Sequence, residues 1–364
     1  MKLSNFFTNP YKWVGAAVLV TALTGCSNGF VYEDLAECVP DRRVRLSYTR
    51  NMDFDEKREE QVKHAKVFAF DADGALADFN VSEGQQLVNN DYTIPLVLEQ
   101  DVPYRFITWC GTDQDAVAIN VDPTEGESRA DDLDSSGSGI MEGLGATVAS
   151  ENGIINTALD PVHYGNGSHT FTNITGLEDY VIDLTKDTNT IIVYLRKVTT
   201  MNGLEVYIED KNDELDFNNN ILDETAHVKY YPVKVEENVD CPTGTDAGGE
   251  YTGETVKGTR LTFHTSRLFD PEEVQNASNL ARIVIRDTAK GQNIVNEPLV
   301  GNIILKSKPV GIAPDNEAWS TKSDQEYLDR EDVYEAIFTL EDYAAIVVHI
   351  NGWRVVIQNV EIGK

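Results

Sequence analysis

Apolar and polar positions alternate with period two over short stretches of this chain, and the alternation restarts many times between turn-forming residues. Residues 44–50 (VRLSYTR) set Val44, Leu46 and Tyr48 on one face, the pattern of a half-buried strand. Two more strand-like runs, 67–70 and 75–79, flank Asp71, Ala72, Asp73 and Gly74. Residues 92–98 (YTIPLVL) contain Pro95, which cannot donate to a ladder and so predicts an edge strand or a bulge. Residues 104–110 (YRFITWC), 170–174 and 190–198 (TIIVYLRKV) are further strand candidates. Between them, residues 122–167 are rich in Gly, Asp and Ser around DDLDSSGSG and predict a long loop with at most a short helix. The pattern restarts near 199–202 and continues at 204–208, 228–235, 260–265, 282–286 and 302–305, with 241–258 read as an exposed Gly- and Thr-rich loop. Near the end, Asn351 and Gly352 separate AAIVVHI from WRVVIQNV, and Asn-Gly between two such runs specifies a two-residue type I′ hairpin. Many short strands and few amphipathic helices predict an all-β fold of two tandem β-sandwiches, residues 26–199 and 200–364.

The segment KVFAFDADGALADF admits a calcium loop or a hairpin turn. With Gly74 at the sixth position of an EF-hand loop, Asp71 and Asp73 take the third and fifth, but the first position is Ala69 and the twelfth is Asn80. Two essential ligands are missing, whereas Asp and Gly suit a tight turn. The reading is a hairpin turn at Asp71, Asp73 and Gly74, with no metal.

Charge and targeting signals change the picture next. Lys2 and Lys12 precede an eleven-residue apolar run, residues 13–23, too short to span a bilayer but suited to a signal-peptide core over residues 1–25. The run ends in Leu23-Thr24-Gly25-Cys26, which resembles a bacterial lipobox and implies cleavage before Cys26 and acylation of that residue. A net charge of −31 argues against nucleic-acid partners. Once Cys26 is set aside, Cys38, Cys110 and Cys241 remain. An exported chain permits one disulfide, and Cys38 with Cys110 is the candidate pair because both lie in the first half.

Catalytic and metal signatures are absent from the sequence: there is no GxSxG, HExxH, Walker loop or CxxC. His163 and His169 lie in HYGNGSH, which is not a recognised zinc-ligand spacing, and are read as a polar loop pair. Residues 213–224 (DELDFNNNILDE) read as a solvated acidic turn, and Trp109, Trp319 and Trp353 as core or hairpin residues. No cofactor is expected.

An ordered set of segments then carries a resemblance: VYEDLAEC, VRLSYTRN, VFAFDADGALADF, YRFITWCG, DTNTIIV, QEYLDRED and INGW. Together they resemble the FimB-type fimbrial anchor lipoproteins of Bacteroidales-type bacteria. The resemblance implies two transthyretin-like sandwiches, a palmitate-type lipid anchor at Cys26, and a place on the cell surface in the outer membrane. It implies a non-catalytic role in cell adhesion: anchoring the base of a fimbria (pilus), limiting its length, and docking the first stalk subunit through β-strand or edge contacts. A glycan-binding surface lipoprotein of a nutrient-uptake system is the alternative. A stalk or tip subunit would instead be cleaved after an Arg such as Arg43 or Arg50.

Overall fold

The structure, a computed structural model, describes residues 42–112, 117–119, 141–173, 178–222, 227–242, 256–274, 280–341, 344–350 and 353–355. The first strands in chain order are β1 (Arg42–Ser47), β2 (His64–Phe70), β3 (Leu76–Glu83), β4 (Thr93–Leu96), β5 (Pro103–Gly111) and β6 (Val117–Ile119). They are followed by β7 (Gly145–Val148), β8 (Ile154–Ile155), β9 (Val162–Thr170), β10 (Glu178–Asp183), β11 (Thr185–Lys186) and β12 (Thr188–Arg196). Next come β13 (Leu204–Asp210), β14 (Glu214–Asp216), β15 (Val228–Tyr230), β16 (Lys234–Cys241) and β17 (Val256–Ser266). The last are β18 (Arg282–Asp287), β19 (Gln292–Pro298), β20 (Val333–Glu341), β21 (Ala344–Ile350) and β22 (Trp353–Val355). Helices are short: α1 (Arg58–Gln61), α2 (Gly84–Asn89), α3 (Leu299–Asn302) and α4 (Asp324–Arg330). The fold is all-β.

Five sheets form, and four of them make two stacks. In the first stack, β10-β1-β4 faces β11-β9-β5-β2-β3 across a shared core. In the second, β16-β17-β12-β20-β21-β22 faces β19-β18-β13-β15-β8. The two stacks repeat one arrangement. β1 lies between antiparallel β4 and parallel β10, and β12 lies between antiparallel β17 and parallel β20. Parallel neighbours need long crossovers, which is why the partners of β1 and β12 are so distant in sequence.

Period-two patterning explains the cores. Val44 and Leu46 of β1 meet Ile94 of β4, Val67 and Ala69 of β2, and Phe106 of β5. The other face of the same five-stranded sheet is also covered: Phe68, Phe70, Ile107 and Trp109 pack with Leu144 and with Ala146 of β7. That cover belongs to the fifth sheet, β14-β7-β6. Burial on both faces makes β2 and β5 read as nearly continuous apolar runs instead of clean alternations. In the second stack, Ile191, Val193 and Leu195 of β12 pack with Phe263 of β17, Phe338 of β20 and Ile208 of β13. Each large apolar side chain buried this fully contributes about 1.5–3 kcal/mol.

Several expectations need correction. Residues 122–167 are not a single loop, since β7, β8 and most of β9 fall in that span. His163 and His169 sit on β9, an inner strand paired with β5. Glycine is there for close approach: a Cβ at Gly165 would lie 2.6 Å from Ile182 Cγ2, and one at Gly167 would lie 2.1 Å from the Tyr180 hydroxyl. Residues 302–305 are not a strand either. α3 and the 3-10 turn at Ile304–Ser307 occupy that region and bury Leu299, Val300, Ile303 and Ile304 in the second core. Apart from these corrections, β12, which ends ahead of 199–202, has β17 and β20 as its ladder partners.

Candidate functional site

The chain passes from the first stack to the second within one residue. Thr185 and Lys186 of β11 pair with Tyr164 and His163 of β9, and β12 begins at Thr188 beside Ser266. Between them Asp187 donates its backbone N–H to the Val162 carbonyl at 2.7 Å. Asp187 is 3% exposed, and burial pushes its carboxyl up to about 7.

Two clasps reinforce this passage. The first is the loop after β1. The Asn51 side-chain amide donates to the carbonyls of Tyr48 and Asp55 at 3.1 and 2.7 Å, which ties the loop, and Phe54 takes a positive φ of 58°. The Phe54 ring then lies edge-on to Trp319, with centroids 6.1 Å apart, and beneath the guanidinium of Arg330 on α4. Arg330 Nη1 donates to the carbonyls of Thr49 and Asn51 at 3.2 and 3.4 Å. Lys186 pairs with Asp332 at 3.2 Å, and nearby Lys322 is ringed by Asp315, Glu317 and Glu326.

The second clasp is the hairpin that β14 opens. Asp216 N donates to the Asn220 carbonyl at 2.8 Å, while Asp216 Oδ1 accepts from the backbone N–H groups of Asn218 and Asn220 at 2.8 and 2.9 Å. This Asx arrangement fixes a tight tip with Asn219 at φ 63°. The tip is held from three sides. The Tyr164 hydroxyl donates to the Phe217 carbonyl at 2.8 Å, Asn219 Nδ2 donates to Asp187 Oδ1 at 2.7 Å, and Arg267 Nη1 donates to the Asn219 carbonyl at 2.7 Å. Arg267 also grips Asp329 with two bonds, at 3.0 and 2.9 Å. Within the stretch read as a solvated acidic turn, Asp213, Glu214 and Asp216 are half-buried and Asn220 is exposed, but Asn219 is a buried contact, only 2% exposed. Local sequence carries the Asx turn but not the distant partners Asp187, Tyr164 and Arg267.

The remaining candidate residues are dispersed. Asp71 lies between β2 and β3, where its N–H donates to the Ala75 carbonyl at 2.9 Å and its Oδ1 accepts from Asp73 and Ala75; Gly74 has φ 81°. Cys110 on β5 is buried, its thiol directed to the His163 carbonyl at 3.8 Å and pushed up by burial. Cys26, Cys38, Asn351 and Gly352 lie outside the described residues. His163 packs edge-on against Tyr48, while His169 stacks on Tyr180 and meets Glu178 at 2.9 Å, so the two rings have separate neighbours. Among the described residues no group of three or more His, Cys, Asp or Glu is placed to hold a metal, and no helix is long and apolar enough to cross a membrane.

The outer surface offers strand edges and exposed aliphatic side chains. β16 ends its sheet, and a register shift between Glu236 and Val239 with Asn238 at φ 55° kinks it. A bulged edge carrying Glu237 and Asp240 resists unprogrammed strand addition. Val310 and Ile312, 86% and 68% exposed, flank Gly311, whose carbonyl accepts from the Trp319 N–H at 2.9 Å.

Solved structures share this fold. A candidate adhesin of Bacteroides thetaiotaomicron superposes with a TM-score of 0.68 at 23% identity, covering 89% of this chain and 100% of its own. A candidate polysaccharide-binding protein of the same organism gives 0.65 at 23% identity over 88% and 99%. The fimbrial anchor protein Mfa2 of Porphyromonas gingivalis gives 0.61 at 16% identity over 88% and 99%. No protein of curated function matches the chain. The family of fimbrillin-A associated anchor proteins Mfa1 and Mfa2 matches residues 36–359, which include every described residue, and the chain belongs to that family.

Proposed function

We propose that this chain is an outer-membrane lipoprotein, acylated at Cys26, that fixes the base of a surface fimbria, limits its length and docks the first stalk subunit. The observation that carries the reading is the family match over residues 36–359. Support also comes from residues 23–26, which resemble a lipobox and lie upstream of the matched region. Strand-edge docking gives affinity through main-chain hydrogen bonds and register through alternating side-chain pockets, which suits a fold made of stacked sheets. The role is structural rather than enzymatic. We place the division between two transthyretin-like sandwiches at Asp187, ahead of the restart near 199–202, because β12 pairs with β17 and β20.

Electron microscopy of cells carrying Cys26→Ala tests the reading, with fimbriae scored on cells and in the medium. Fibres shed into the medium, or changed in length, with the variant protein intact are the expected result. Normal numbers of attached fibres of normal length would overturn the anchor role.

A further inference from the structure

We propose that Asp187 is held as a neutral carboxylic acid and closes a two-bond ring with the carboxamide of Asn219, so that a proton fastens the crossing point between the stacks to the hairpin tip. One bond of the ring is present, Asn219 Nδ2 to Asp187 Oδ1 at 2.7 Å. The other two oxygens of these groups, Asp187 Oδ2 and Asn219 Oδ1, are both buried without a hydrogen-bond partner. Their residues are 3% and 2% exposed. Each orphaned acceptor at such depth is costly. A carboxylate can only accept, so ionised Asp187 leaves its own Oδ2 and Asn219 Oδ1 unsatisfied. A proton on Oδ2 makes that atom the donor Asn219 Oδ1 lacks, and one hydrogen satisfies both.

The charged surroundings agree. Arg267 favours the ionised form, but its guanidinium is already engaged by both oxygens of Asp329 and by the Asn219 carbonyl. Asp329 opposes ionisation. Lys186 is paired with Asp332. On β5 and β9, burial keeps Cys110 and Tyr164 protonated and His163 neutral, and on the tip Asp216 is occupied by its own turn. Burial is the main cause that raises Asp187 to about 7.

Between the ordinary carboxylate range and that value, the folded chain keeps a proton that the unfolded chain releases. The fastener therefore contributes its full stability at the acid end of this window. The contribution is lost as pH rises through the window and is flat beyond it.

The test uses the full chain in detergent. Infrared difference spectra of wild type against Asp187→Asn read the protonated-carboxyl stretch at about pH 6, where ordinary carboxylates are ionised. The expected result is one protonated carboxyl lost in Asp187→Asn and a wild-type-minus-variant difference band that titrates out with a midpoint near 7. The variant preserves the ring, because an Asn at 187 donates its own amide to Asn219 Oδ1, so amide hydrogen exchange at 218–220 should stay protected at every pH. Identical spectra for the two proteins at this pH would overturn the proposal. Should the variant not fold, exchange in wild type alone decides. Protection at 218–220 that falls as pH rises past the midpoint, after correction for intrinsic rate, supports the ring, and protection independent of pH refutes it.

Discussion

The guanidinium carbon of Arg330 lies 4.0 Å from the centroid of the Phe54 ring, joining α4 to the loop that follows β1. The same side chain donates to the carbonyls of Thr49 and Asn51. Replacing Arg330 with Ala removes a cation–π contact and two charge-assisted bonds and should cost about 2–3 kcal/mol. Arg330→Lys should recover only part of that, since an ammonium cannot lie flat on the ring. Urea unfolding of the three proteins measures both; equal stability of wild type and the Ala variant would contradict the clasp.

Gly165 should tolerate no side chain. A Cβ there would meet Ile182, Thr108 and Leu184 at 2.6, 2.8 and 2.9 Å, all from buried residues. Overpacking of this kind costs about 1–3 kcal/mol. Gly165→Ala should lower the thermal midpoint, whereas Gly203→Ala, with open space at its Cβ but a positive φ of 79°, reports backbone strain alone. A silent Gly165→Ala would mean that β10 is free to move off β9.

Asp210 is a second buried acid. Burial raises it to about 7, although its Oδ1 accepts from the N–H groups of Lys211 and Ala281 at 2.8 and 3.0 Å. Because the folded-state value is raised from 3.8, stability should fall as pH climbs from there to about 7 and then level off. Asp210→Asn should flatten that part of the profile and be more stable than wild type above the window. Stability curves that stay parallel across the window would show an ionised Asp210.

His163 predicts the opposite slope. Burial lowers it from 6.5 to about 3, with the charge of Lys186 acting the same way and the Cys110 backbone opposing it. Stability from its neutral form is complete above 6.5 and is lost as pH falls toward 3. His163→Phe keeps an aromatic edge against Tyr48, now 4.5 Å away, and should remove this acid-side loss in pH-resolved unfolding. Unchanged acid sensitivity in the variant would assign the loss to other groups.

Most of the architecture could be read locally. VRLSYTR announces β1 through strict alternation, and Pro95 falls on β4, an edge of its sheet. Elsewhere the cues misled for physical reasons. HYGNGSH looks like a loop because glycine is rare in strands, yet Gly165 and Gly167 are what let β10 cross so closely. Residues 302–305 are a short apolar run, and a run of that length cannot separate strand from buried helix. The clasps were least legible of all. The polar tip at Asn219 is buried only because Asp187, Tyr164 and Arg267 converge on it from separate strands and loops. No window of sequence contains that convergence.

The position of β1 has a mechanical consequence. Its inter-strand hydrogen bonds stand perpendicular to the strand on the side of antiparallel β4 and slant across it on the side of parallel β10. A load applied along β1 at Arg42 runs at right angles to the bonds to β4 and crosswise to the slanted bonds to β10. Neither ladder can then be peeled open one bond at a time; both must shear together. Asp179, gripped by Arg43 and Arg45, adds a pin across the β10 side. Tension applied at the N-terminal side therefore meets a joint that yields only when two ladders slip in concert.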